Sequence, residues 1–319
     1  PTPGEDPRAD VTLFTQKPVE GKALQGTLST GWQGRAERAL AGEKKVASLV
    51  AVNTRTGEIL ATAGSPAANQ NSWGTTGRYP PGSTFKVVTA LALIREGFSA
   101  QSRVDCPATV TVNGRTFKNY DDYPKSMVGT ITLAQALAHS CNTAFITEAA
   151  KLPPKALKDA AASLGMGVDF DAGFPIFYGS VPATDDRVTR AANAIGQGTI
   201  EASPVAMAAV AASVGGGHTV VPWMILGKTP QPKAAPLTQN ETRQLQEMMK
   251  LTVSQGSGKS LAGLVAGAKT GTAEYGNATP PKTHGWMISY HGEMAIAVQV
   301  VDGGSGSGSA APVSYTHLR

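Results

Sequence analysis

Apolar residues in this chain fall into short packets separated by polar, glycine- or proline-bearing breaks, and the spacing of the packets predicts the elements. Residues 46–52 and 58–63 are apolar runs joined by Asn53-Thr54-Arg55-Thr56-Gly57, the composition of two antiparallel strands with a longer hairpin loop. Residues 69–77 are polar, and Pro80-Pro81-Gly82 breaks the chain before the apolar run 85–94, which Gly97 terminates. Ser83 therefore opens a helix. A second hairpin is expected over 110–117 around Asn113-Gly114. Helices are expected over 133–138, 155–164 before Gly165, 203–214 before three glycines, and 238–254, the last opened by the capping box Thr238-Gln239-Asn240-Glu241. Three strand-like stretches follow, 264–272, 285–290 and 293–301. Two strands early and three late, with helices between, predict an α+β fold. One five-stranded antiparallel sheet is built from both chain ends, an all-helical lobe is inserted, and a cleft lies where they meet.

Composition fits one large folded unit. Of 319 residues, 41% are hydrophobic and 16% charged, enough for a substantial core. The net charge of +5 is spread without a run of basic residues, which excludes a nucleic-acid patch or a polybasic membrane anchor. No apolar run approaches the ~18 residues of a membrane span. Two cysteines, Cys106 and Cys141, are too few for a disulfide scaffold, and a bridge at Cys141 would constrain the motif that contains it. His139, His218, His284 and His291 lack metal-ligand spacing, so no metal or cofactor is expected. His284 and Trp286 are expected to pack beside or rim the cleft.

Three short motifs carry the chemistry, and each occurs once. Ser83 and Lys86, in Ser83-Thr84-Phe85-Lys86, stand one helical turn apart at a helix start, so their side chains share a face. Ser83 is the candidate nucleophile. Lys86 lies among Phe85, Val87 and Val88; burial would depress its pKa and leave a neutral amine able to take the serine proton. Ser140-Cys141-Asn142 offers a hydroxyl that can shuttle a proton and an amide that can hold a peptide carbonyl, both expected on a loop. Lys269-Thr270-Gly271-Thr272 lies on an expected strand. Gly271 admits close approach of another chain, the two threonines offer hydroxyls to an anion, and Lys269 adds positive charge. Taken one at a time, these motifs read as a capped helix, a turn and an edge strand; together and in this order they spell a serine acyl-transfer site.

In that order the motifs resemble the transpeptidase domain of penicillin-binding proteins, in the serine β-lactamase superfamily. The resemblance runs over about residues 47–301 and extends to Pro80-Pro81-Gly82 and to Gly196-Gln197-Gly198 followed by Ser203-Pro204. It implies a three-layer αβα domain over 43–302, preceded by a lead-in over 1–42 that is the stub of a pedestal region. It also implies that Ser83 attacks the penultimate carbonyl of peptidoglycan stems ending D-Ala-D-Ala, with Lys86 as base. The amides of Ser83 and Thr272 would form the oxyanion hole, and Ser140, between Lys86 and Lys269, would protonate the leaving amine. Asn142, Thr270, Gly271 and Thr272 would bind substrate, and β-lactams would acylate Ser83. Implied as well are other cell-wall synthesis proteins as partners, no nucleic acid, and a place on the extracytoplasmic face of the bacterial membrane, anchored by a segment absent from this chain.

Two other readings share the motifs. A β-lactamase of the type that deacylates through a glutamate needs one beyond the second motif, yet no Glu occurs between Glu148 and Glu201. The class D type would carry a hydrophobic residue at Asn142, and Tyr275-Gly276-Asn277, which imitates one of its triplets, reads as a turn. A β-lactam sensor would acylate in the same way but not turn over. The chain departs from the family pattern at its end: residues 303–319 read as a glycine-rich loop with an atypical tail, too short and too aperiodic for the usual final helix.

Overall fold

The computed structural model describes residues 14–69 and 71–318, with side chains to Ser314. Part of the expected lead-in, residues 1–13, lies outside the described residues. Chain order runs α1 (Thr30–Leu40), β1 (Ala47–Asn53), β2 (Ile59–Gly64), the short α2 (Trp73–Thr76) and α3 (Lys86–Arg95). Then come β3 (Arg103–Cys106), β4 (Thr109–Val112), β5 (Arg115–Lys118), β6 (Gly129–Thr132), α4 (Leu133–Ala138), α5 (Asn142–Ala149), α6 (Ala156–Ser163), α7 (Arg187–Asn193) and α8 (Pro204–Gly216). α9 (Gln239–Ser254), β7 (Gly267–Tyr275), β8 (Lys282–His291), β9 (Met294–Val300) and α10 (Ala310–Leu318) complete it.

The main sheet has five strands in the order β2-β1-β9-β8-β7, with every neighbouring pair antiparallel. Both chain ends build it, as expected, because β9 inserts between β1 and β8. Its strands alternate burial between two cores, the period-two signature of a sheet covered on both faces. Val50, Val52, Trp286, Ile288 and Ala297 join the helical lobe. Leu49, Ala51, Met287, Ile296 and Val298 join the outer layer, which α1 supplies with Ala36 and Leu40. α8 is apolar all round and buried from Pro204 to Val214, the pattern of a helix enclosed by protein on every side. Ser203 caps it, accepting from the Ala206 amide at 3.2 Å, and Gly217 ends it at φ 73°. The capping box of α9 forms as its sequence predicts: Thr238 Oγ1 accepts from Glu241 N at 3.1 Å, and Glu241 Oε2 accepts from Thr238 N at 2.7 Å.

Three expectations are corrected. Residues 310–318 are helical, and Ala310, Ala311 and Val313 are buried in the outer core against α1 and the sheet. A single buried turn suffices here because the sheet supplies the apolar partner that an isolated amphipathic period would otherwise require. The lead-in, in which the apolar pattern predicts no element, contains a helix, α1, packed on β2. Cys106 and Cys141 are bridged, with Cα atoms 6.3 Å apart. Two cysteines do not make a scaffold, but one bridge between β3 and the start of α5 is a local clamp on the second motif.

Candidate active site

The turn that carries Ser83 comes first in the chain. Residues Gly82–Phe85 form a 3-10 turn that runs into α3 at Lys86, so Ser83 precedes the first α-helical residue. Pro80-Pro81 stops any earlier helix, and Gly82 takes φ 54°, a left-handed value that glycine adopts freely. A Cβ on Gly82 would also meet the Thr272 carbonyl oxygen at 2.5 Å. This glycine is what lets the turn approach the strand that carries the third motif. Ser83 is half-buried, whereas Lys86 is fully buried.

Lys86 Nζ donates to the Ser140 carbonyl at 2.7 Å, to Ser140 Oγ at 3.1 Å and to Asn142 Oδ1 at 2.7 Å. From the opposite wall, Lys269 Nζ, also fully buried, donates to Ser140 Oγ at 3.0 Å and to the Thr270 carbonyl at 2.8 Å. One hydroxyl thus sits between two lysine amino groups drawn from the other two motifs. With both lone pairs of Ser140 Oγ accepting from lysines, its own proton is free to point into the cleft.

Burial decides the charge state. It pushes the Lys86 amine well below the ordinary lysine value, and the neighbouring Lys269 charge pushes it further down. Burial brings Lys269 down to about 7. Two buried cations sharing one hydroxyl repel, so near neutrality the pair holds fewer than two protons, and a neutral lysine becomes available as a base.

Ser140 and Asn142 occupy the junction of α4 and α5. The second motif is therefore not the loop expected for it: Asn142 is the first residue of α5, and Ser140, two residues past the end of α4, takes φ 60°. Three contacts outside the motif hold this junction. The Cys106–Cys141 bridge ties it to β3. Asn119 Oδ1 accepts from the amides of Asn142 at 2.7 Å and Thr143 at 3.2 Å. Asn142 Nδ2 donates to the Lys118 carbonyl at 3.0 Å. Asn119 lies 23 residues from Asn142, and no local sequence pattern links them. The cysteines were visible in the sequence, but their pairing depends on the path of β3.

Strand β7 forms the other wall and an edge of the sheet. Lys269 pairs with Ile288 and Gly271 with Trp286, which places both on the face turned to the helical lobe. Gly271 differs from its expected use. A Cβ there would meet the Pro81 carbonyl oxygen at 2.9 Å, Thr84 Cγ2 at 2.9 Å and Trp286 Cβ at 3.0 Å, so the chain that approaches it is the turn carrying Ser83. Thr270 and Thr272 lie on alternate positions. The Thr270 hydroxyl pairs at 2.5 Å with Ser257, which the sequence reading missed; Ser257 stands after α9, where its amide donates to the Ala138 carbonyl at 3.2 Å. His284 is buried, stacked on Tyr275 at 4.0 Å, and pushed down to about 4 by burial, while the Trp286 indole donates to the Pro80 carbonyl at 3.1 Å. Both pack behind the cleft rather than act in it, and Tyr275-Gly276 ends β7 in a turn.

A sequence model of the penicillin-binding protein transpeptidase domain matches residues 47–319. The chain belongs to this family. Peptidoglycan D,D-transpeptidase PbpA of Mycobacterium tuberculosis is 28% identical over 366 aligned positions, covering 97% of this chain and 72% of that protein. Among solved structures, the ceftriaxone acyl-enzyme complex of penicillin-binding protein A from M. tuberculosis superposes with a TM-score of 0.80 at 24% identity, covering 92% of this chain and 79% of that one. Pseudomonas aeruginosa PBP2 in complex with WCK 5153 superposes with a TM-score of 0.80 at 25% identity, covering 94% and 79%. The transpeptidase-family fold, a five-stranded antiparallel sheet flanked by helices, is the one described above. Among the described residues no helix is long and apolar enough to cross a membrane, and no group of three or more His, Cys, Asp or Glu side chains could hold a metal ion.

Proposed function

We propose that this protein is a D,D-transpeptidase that cross-links peptidoglycan stem peptides through an acyl-enzyme on Ser83 and is acylated at the same residue by β-lactams. The observation that carries the reading is the Ser140 hydroxyl held between Lys86 and Lys269, at 3.1 and 3.0 Å. Three motifs far apart in sequence meet there, in a geometry suited to moving protons without a histidine or a metal.

In the proposed sequence, neutral Lys86 takes the Ser83 proton as Ser83 Oγ bonds to the penultimate D-Ala carbonyl carbon. The amides of Ser83 and Thr272 receive the developing oxyanion. The C–N bond to the terminal D-Ala then breaks, and the proton reaches the departing amine through Ser140. An amine from a neighbouring stem attacks the ester, loses its proton along the same relay, and restores Ser83. Asn142 holds the substrate backbone, while Lys269, Thr270 and Thr272 receive its terminal carboxylate, with Gly271 keeping the strand close to the nucleophile. Work on stem peptides places the domain on the extracytoplasmic face of a bacterial membrane, alongside other cell-wall synthesis proteins. The M. tuberculosis relative, a peptidoglycan D,D-transpeptidase by name, supports the reading.

Mass spectrometry after exposure to penicillin tests it. A long-lived adduct on Ser83, with D-Ala release from D-Ala-D-Ala peptides in the absence of antibiotic, is the expected result. Rapid hydrolysis of the adduct would favour a β-lactamase, and a stable adduct without peptide turnover would favour a sensor.

A further inference from the structure

Gly196-Gln197-Gly198, prominent in the sequence, is not absorbed by the mechanism above. It runs beside both halves of the oxyanion site. The Gly196 carbonyl accepts from the Gly82 amide at 2.9 Å, next to Ser83, and a Cβ on Gly196 would meet the Gly82 oxygen at 2.0 Å. With its amide oriented so that each end meets a complementary group, Gln197 donates to the Glu274 carbonyl at 3.2 Å and accepts from the Glu274 amide at 3.0 Å. A side chain here makes the two-point contact that a neighbouring strand would make.

The period of the strand shows what this contact occupies. The Thr270 carbonyl meets the Lys269 ammonium, and both backbone groups of Glu274 meet Gln197, so neither residue turns those groups toward β8. Successive residues alternate, and the backbone groups of Thr272 therefore face the same open edge. A peptide laid antiparallel on that edge, with its carboxylate toward Thr270, pairs its penultimate residue with Thr272. The residue two positions upstream would pair with Glu274, where Gln197 already stands.

We propose that Gln197 determines specificity by ending the substrate's strand pairing after one residue, so that the site reads the D-Ala-D-Ala terminus and not a longer run of regular α-peptide backbone. The preferred donor is then a peptide that is short, or whose backbone departs from regular α-linkage just upstream. This rests on the reading of β7 as the substrate's strand.

The test compares N-acetylated, α-linked di-, tri- and tetrapeptide donors ending D-Ala-D-Ala, with D-Ala release in the presence of an amine acceptor as readout and penicillin titration of Ser83 normalising active protein. In the unsubstituted protein, kcat/KM should be flat from tri- to tetrapeptide, and unchanged by N-methylation of the tetrapeptide residue that would face Glu274. In Gln197→Ala, and in Gln197→Asn, whose shorter side chain cannot reach, the tetrapeptide should gain roughly five-fold over the tripeptide, a gain that N-methylation removes. Equal length dependence in all three proteins, a uniform loss for every donor, or N-methyl sensitivity in the unsubstituted protein would overturn the proposal. Absence of penicillin labelling at Ser83 would instead overturn the proposed function.

Discussion

The two walls of the cleft are built on opposite principles. The helical wall presents side chains whose positions are over-determined: Lys86 is buried with three acceptors, and the Ser140–Asn142 junction is held by a disulfide and by Asn119. The strand wall presents main chain along an open edge, adjusted by close approaches at Gly82 and Gly271. Proton transfer calls for groups of altered acidity, which burial and a neighbouring charge provide; strand-like peptide recognition calls for unpaired amides and carbonyls, which an edge provides. The site needs both, and it lies where a helical lobe meets the last strand of a sheet.

Substitutions on the helical wall should strike the chemistry hardest. Lys86→Met is expected to slow penicillin acylation by roughly 10³-fold, in the range of a lost general base, as measured by stopped-flow with a chromogenic β-lactam. The same assay should give a bell-shaped pH profile. Its acid limb, where rate rises with pH, reflects loss of a proton from Lys86 below the ordinary lysine range; its alkaline limb reflects loss of the Lys269 charge above about 7. Lys269→Met should remove the alkaline limb, and a profile unchanged by that substitution would separate Lys269 from the titration.

On the strand wall, Gly271→Ala sharpens the comparison, because it adds one methyl where three atoms leave no room. Overpacking of about 1–3 kcal/mol is expected in a denaturant melt. Displacement of the strand from Ser83 should lower acylation on the order of 10²-fold. If acylation survives while stability falls, the strand's position matters less than the close contacts imply. Reduction of Cys106–Cys141, or a paired Cys→Ser replacement, loosens the helical wall alone. A loop of this length gives about 4 kcal/mol in the chain-entropy model. Acylation should fall about ten-fold as Ser140 and Asn142 lose their fixed placement. Thr270→Val should have the smallest effect, raising KM for D-Ala-D-Ala donors about three- to ten-fold with kcat nearly unchanged, since it removes one hydroxyl from the proposed carboxylate site and leaves the proposed relay intact. A matching fall in kcat would move Thr270 from recognition into the chemistry.

Legibility of the sequence follows the same division. Elements with a strong local signal stand where the pattern puts them: the capped α9, the apolar α8, the β1–β2 hairpin, and the first and third motifs at a helix start and on a strand. Elements stabilised by a distant partner were not legible. α1 and α10 carry weak apolar periods and fold because the outer face of the sheet covers their few buried residues. β7 begins and ends three residues later than expected, since pairing with β8 rather than apolar run sets its limits. In the site, Asn119 and Ser257 escaped notice because nothing near them in sequence marks their partners.

By itself, then, the sequence presented the groups proposed for this protein's chemistry, and their order. Ser83, Lys86, Ser140, Asn142 and the Lys269–Thr272 strand are legible because each motif is short and its local context follows from turn, cap and strand preferences. Only the tertiary structure decided what those groups are. Lys86 and Lys269 become stronger acids than an exposed lysine because folding removes both from water and sets the Lys269 charge beside Lys86. Cys141 becomes a clamp because β3 brings Cys106 within bonding distance. Gln197 meets both backbone groups of Glu274 because the fold lays the Gly196–Gly198 segment along the edge of β7. Acidity, bridging and edge pairing all depend on what surrounds a group in space, and sequence neighbours alone do not specify it.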